Sequence, residues 1–221
     1  MSRDAAPPPA LRDQIAGDLA PVRPLAKPWM RAAAALPLAV LLLFAASTIY
    51  SLRGDAGKLG WTLTWGLSIV ELALGMLLIG FSLREAIPGR VWSPPALFAS
   101  LGVSLGAVVF ITLVTWRVSP TRIVGESVAY VTRVCFVDPL FAAVPVILLA
   151  GFLVARAYPL RPGIAGALYG AGGGLLSDAG WRLFCHYSDP AHVLTAHLGA
   201  ILAATLLGAL TVWLLRRRAT T

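Results

Sequence analysis

Six uninterrupted apolar blocks run along this chain, at residues 31–52, 61–83, 94–116, 138–156, 163–181 and 191–215. Each holds about 18–25 residues, enough as a helix rising about 1.5 Å per residue to cross a hydrocarbon core of about 30 Å. Inside lipid, backbone N–H and C=O groups must pair within their own segment, so the blocks are expected to be helices and not strands. Water is a poor solvent for such a chain. It is 58% hydrophobic and only 13% charged, against a charged share of about 25% in an average soluble domain. The expected fold class is all-α: a polytopic integral membrane protein with six transmembrane helices, and the lipid bilayer as its surroundings.

The punctuation between blocks fits that reading. Ser93-Pro94, Asp138-Pro139 and Asp189-Pro190 each place a capping side chain before a proline that needs no N–H partner, so each predicts a helix start. Trp61, Trp92, Trp116, Trp181 and Trp213 lie near predicted block ends, as an interfacial aromatic belt requires. Three regions follow: an N-terminal segment 1–30, a transmembrane domain 31–215, and a basic tail 216–221. An even number of spans puts both termini on one side, and that side collects twelve of the 18 Lys and Arg residues. The positive-inside rule then predicts cytoplasmic N- and C-termini in a bacterial inner membrane. The net charge of +8 is absorbed by those loops. No basic stripe interleaved with aromatics is present, so direct nucleic-acid binding is not expected.

In the N-terminal segment Leu11, Ile15, Leu19 and Val22 recur at helical spacing between polar residues, with Pro7, Pro8 and Pro9 before them and Pro21 and Pro24 close behind. This predicts a short amphipathic helix. About ten residues cannot repay helix nucleation alone in water. The segment is expected to be disordered when free and to order against a partner's apolar groove.

Polar chemistry is concentrated in two places. Cys135 and Cys185 each lie three or four residues ahead of an Asp-Pro pair, and both of the following helices start on the outer side. The two thiols are therefore expected on one face at similar depth. There the oxidising exterior allows a disulfide, and a bridge closing a loop of about 50 residues contributes roughly 4 kcal/mol in the loop-entropy picture. The alternative is a pair of unbridged cysteines packed as small apolar side chains. With His186 and His192 the cysteines also make a candidate donor set for zinc or copper. His192 and His197 are five residues apart, about 140° on an ideal helix of about 3.6 residues per turn, so they are not expected to share a metal, and His197 reads as packing. Glu71 falls in the middle of the second block, in a stripe with Thr64, Ser68 and Gly75. A carboxylate at that depth is a functional candidate. Gly166, Gly170 and Gly174 form a small-xxx-small ladder for close helix approach. No nucleophile elbow, zinc-protease or phosphate-loop signature is present, so no catalytic residue, enzyme activity or cofactor is expected.

Taken together, the N-terminal segment from Leu11 to Leu25, the six blocks, Cys135 and the stretch from Cys185 to His197 resemble the six-span membrane anti-sigma factors typified by the negative regulator of sigma factor F. The resemblance covers nearly the whole chain. It implies a stress-response regulator that holds an extracytoplasmic-function sigma factor at the membrane through Leu11, Ile15, Leu19 and Val22. It further implies that Cys135 and Cys185 sense the signal that releases the partner. The alternative is a small transporter or channel whose path is lined by Glu71 and the histidines.

Overall fold

A computed structural model describes residues 8–18 and 24–218. The described residues form seven helices: α1 (Pro9–Asp18), α2 (Pro28–Ile49), α3 (Ala56–Glu85), α4 (Pro94–Val118), α5 (Val128–Ala155), α6 (Pro162–Trp181) and α7 (Pro190–Leu214). No strand occurs among them, so the all-α expectation holds. Five of the helices, α2, α3, α4, α5 and α7, are long and apolar enough to cross a membrane.

Apart from the short α1, that leaves α6, whose lower hydropathy fits its place in the bundle. It lies at the centre, against α7, α3, α5 and α2, and nearly every residue from Ala165 to Trp181 is buried. A helix surrounded by helices gains most from side chains small enough for backbones to meet. A Cβ at Gly166 would stand 2.4 Å from the Gly208 carbonyl oxygen, and one at Gly170 would stand 2.4 Å from that of Ala204. The glycine ladder thus sets α6 directly on the backbone of α7, as its spacing predicts, and the same glycines dilute the helix's hydropathy. By contrast α4 packs mainly on α3, and it turns Phe98 and Phe110 outward, 76% and 63% exposed.

One predicted boundary is overturned. Asp138-Pro139 does not start a helix: α5 begins ten residues earlier, at Val128, where the Tyr130 N–H donates to Ser127 Oγ at 3.4 Å. Pro139 and Pro145 both lie inside it. An internal proline removes one N–H and leaves the carbonyl four residues back, here that of Cys135, without its helical donor. The Pro139 carbonyl itself accepts from Ser177 Oγ of α6 at 2.6 Å, which ties the interrupted turn to the central helix. Pro94 and Pro190 do open their helices, although neither Ser93 nor Asp189 makes a side-chain capping bond.

The connections gather at two ends. At one end the Arg53 N–H donates to the Leu183 carbonyl at 2.8 Å and Arg53 Nη1 to that of Arg182 at 3.2 Å, while Arg53 pairs with Asp55 at 2.6 Å. The Ser188 and Asp189 N–H groups donate to the Thr121 carbonyl at 3.1 and 3.2 Å. The α2–α3, α4–α5 and α6–α7 connections are thereby joined. At the other end Glu85 pairs with Arg161 at 2.6 Å and accepts from the Trp92 N–H at 2.7 Å. Arg31 donates to the Leu153 carbonyl there, and Trp29 meets Phe81 edge-on at 5.7 Å.

Candidate functional site

The first of these ends holds a compact polar cluster in an aromatic wall. Cys135 points inward from α5. Cys185 follows α6 in the tight turn where its N–H donates to the Trp181 carbonyl at 2.8 Å. The two sulfurs are 3.7 Å apart, with the Cys135 thiol donating to Cys185, and both residues are buried free thiols. Ala46, Val131, Trp181 and Ala196 close around them. A cleft of about 340 Å³ opens onto the pair, lined by both cysteines together with Tyr50, Tyr130, Phe184 and Tyr187. Cys185, which lies outside the helices, is held well below the ordinary thiol range. The hydrogen bond from Cys135 is the largest cause; burial opposes it, and His192 and His197 reinforce it.

Both histidines of α7 reach this pair, contrary to the expectation for an ideal helix. The first turns of α7 contain a π-helical segment, Val193–His197, in which the Leu198 N–H bonds to the Val193 carbonyl. With i→i+5 bonding, residues five apart lie nearly one above the other. His192 and His197 therefore face the same way, their rings 5.5 Å apart. His192 Nε2 is 3.6 Å from Cys185 Sγ. The donor atoms of Cys135, Cys185, His192 and His197 all lie within 4.8 Å of one another. His186 is not in this group; its ring stacks on Tyr187 at 4.1 Å.

Behind the cluster runs a buried ionic chain that sequence reasoning missed. His197 Nδ1 is 2.6 Å from Asp178 Oδ1. Arg182 Nε donates to Asp178 Oδ2 at 3.0 Å and lies 2.9 Å from Glu71 Oε2. All four residues are buried, Glu71 completely. Glu71 is thus no isolated mid-block carboxylate: Arg182 balances it, and Asp178 shares that arginine. The spacing of Asp178 and Arg182, one helical turn apart at the end of a glycine-rich helix, was the available signal.

At the other extremity of the chain, every described side chain of α1 from Pro9 to Gly17 is exposed. Leu11 and Ile15 stand 47% and 51% exposed. Leu19 and Val22 lie outside the described residues.

A sequence model described as negative regulator of sigma F, NrsF, matches residues 15–217. The chain belongs to the NrsF family. No curated protein and no solved structure matches it. An NrsF chain is a regulator rather than a member of an enzyme class, and the family implies a sigma factor as its partner. The match takes in the entire cysteine–histidine cluster and the ionic chain behind it, but begins at Ile15, so only part of α1 falls within it.

Proposed function

We propose that this NrsF chain is a membrane-bound anti-sigma factor with six spans and cytoplasmic termini. Its N-terminal segment holds an extracytoplasmic-function sigma factor away from RNA polymerase. The supporting observation is a division of labour along the chain. A short helix offers Leu11 and Ile15 to solvent, while two thiols lie 3.7 Å apart in a buried cluster at one end of the bundle. In this reading α6 is the sixth span. It is shielded from lipid by its neighbours and needs no lipid-compatible surface of its own. The excess of basic residues on the side of the termini supports a cytoplasmic N-terminus, and in this reading the cysteines lie at the periplasmic face of the inner membrane.

The signal step is oxidation of the pair. The two thiols lose two protons and pass two electrons to a thiol oxidant of the disulfide or diamide class, and a sulfur–sulfur bond forms between Cys135 and Cys185. The sulfurs close from 3.7 Å to about 2.0 Å. That draws α5 toward the turn after α6. Because Pro139 already interrupts α5, this turn is a compliant point at which the bundle changes state. A signal of this kind acts only by favouring one bundle state over another, and the state favoured by the bridge is the one that lets the sigma factor go.

The test is recovery of the partner. The full chain, purified from its own membranes under reducing conditions, is expected to retain a sigma factor identifiable by mass spectrometry, and Leu11→Asp with Ile15→Asp is expected to lose it. Retention unaffected by both substitutions would remove the N-terminal segment from the mechanism.

A further inference from the structure

A disulfide needs only the two sulfurs, yet the fold also brings His192 and His197 to the cysteines. We propose that Cys135, Cys185, His192 and His197 form a mononuclear site for a thiophilic, closed-shell cation of which zinc(II) is the type. This rests on the sensor reading only for access from the outer face; binding itself requires no sigma factor.

Four observations converge. The first is the donor set, two sulfurs and two imidazole nitrogens, which is one of the standard tetrahedral combinations for zinc. The second is spacing. Metal–ligand bonds of about 2.0–2.3 Å give a tetrahedron with edges of about 3.5 Å. Cys135 to Cys185 at 3.7 Å and Cys185 to His192 at 3.6 Å are already close to that edge. The widest donor separation, 4.8 Å, contracts by about 1 Å on binding, within reach of side-chain rotation.

The third observation is an open valence. His197 Nε2 is buried with no hydrogen-bond partner among the described residues, and a buried polar nitrogen left without a partner is destabilising. Asp178 occupies Nδ1 of His197 at 2.6 Å, which fixes the ring and leaves Nε2 directed at the cluster. A carboxylate on the far nitrogen is the usual orienting partner of a metal-bound histidine, and Arg182 holds that carboxylate in turn at 3.0 Å. The fourth is the backbone. Five-residue spacing brings the two imidazoles together only because Val193–His197 is π-helical, and such single π-turns concentrate at functional sites.

The charge also closes. Two protons leave the cluster for solvent as it becomes two thiolates and two neutral imidazoles, no electron moves, and a dication with two thiolates adds no net charge to a buried site. The cleft that both cysteines line supplies the way in.

The experiment uses the full chain in detergent micelles, reduced with a non-chelating phosphine under anaerobic conditions. It is titrated first with cobalt(II) as the spectroscopic probe and then with zinc(II). We expect one cobalt per chain, visible bands of tetrahedral cobalt with thiolate charge transfer, and their loss on adding one equivalent of zinc. His197→Gln and His192→Gln are each expected to weaken binding at least tenfold. Continued protection of both thiols from a bulky alkylating reagent shows that each variant is folded. Absence of the tetrahedral bands in the unsubstituted protein, or equal affinity in both histidine variants, would overturn the proposal. Sigma-factor retention, measured in parallel on the metal-free protein, separates the two readings: retention without metal binding refutes only the metal site. Metal binding without retention refutes only the anti-sigma role.

Discussion

Asp178 is the residue on which the buried ionic chain turns, and its replacement by asparagine has a calculable cost. Asp178 is 1% exposed. It faces His197 Nδ1 at 2.6 Å through one oxygen and accepts from Arg182 Nε at 3.0 Å through the other. Asparagine keeps the shape and one acceptor, but presents an NH₂ group to the second donor. One charge-assisted hydrogen bond is lost, worth about 1.5–3 kcal/mol, and a buried donor is left facing a donor at a further cost of about 1–3 kcal/mol. The expected destabilisation is about 3–5 kcal/mol, the range for breaking a buried pair from one side. Glu71→Gln removes a carboxylate that pairs with Arg182 at 2.9 Å, and Arg182 keeps Asp178. Its cost is expected at about 1–3 kcal/mol. The two buried cysteines serve as the reporter. A fluorogenic thiol reagent reacts as the bundle opens, and at about 2–4 °C per kcal/mol for a chain of this length, Asp178→Asn lowers the midpoint by about 6–20 °C. A shift below that of Glu71→Gln would refute the assignment of Asp178 as the shared acceptor.

Three further outcomes follow from the geometry. Gly170→Ala puts a methyl group 2.4 Å from the Ala204 carbonyl oxygen, backbone that cannot rotate aside, so α6 and α7 are forced apart at a cost of about 1–3 kcal/mol, read in the same thiol-melting assay. Ser177→Ala removes the hydrogen bond to the Pro139 carbonyl at 2.6 Å and is expected to cost about 1 kcal/mol, while raising the rate of alkylation at Cys135 by loosening the interrupted turn. Leu11→Asp alone should lower the amount of sigma factor recovered with the full chain while leaving the melting midpoint within about 1 °C, because its side chain is 47% exposed and exposed substitutions change stability little.

The helical architecture was legible because it follows from bulk hydropathy. Apolar blocks of membrane-crossing length must be helices, and prolines at 94 and 190 mark starts that the structure keeps. The start of α5 was misread for a local reason: Asp138-Pro139 carries the same signature as those two, but the residues before it already belong to the helix, and Ser177 compensates for the interrupted turn from another element. No sequence window contains that partner. Span parity put the two cysteines on one face at similar depth, but it could not say that their sulfurs meet at 3.7 Å. The place of His197 was not legible. A period of 3.6 residues turned it away from His192, and only the π-turn, a tertiary adjustment at the start of α7, returned it. For the same reason Glu71 read as a lone carboxylate, since its counter-charge comes from Arg182, 111 positions further along the chain. Patterns of hydropathy locate helices; they carry little information about which polar groups meet between them.

The account stands or falls on whether the state of the cysteine pair governs the partner bound at the other end. The direct measurement is the amount of sigma factor held by the full chain in lipid nanodiscs, first with Cys135 and Cys185 reduced, then after oxidation by diamide, with mass spectrometry reporting the bridge. The prediction is a sigma factor bound to the dithiol form and released in proportion to the bridged fraction, with no release from the Cys135→Ser variant. Equal retention by the dithiol and bridged forms would contradict it.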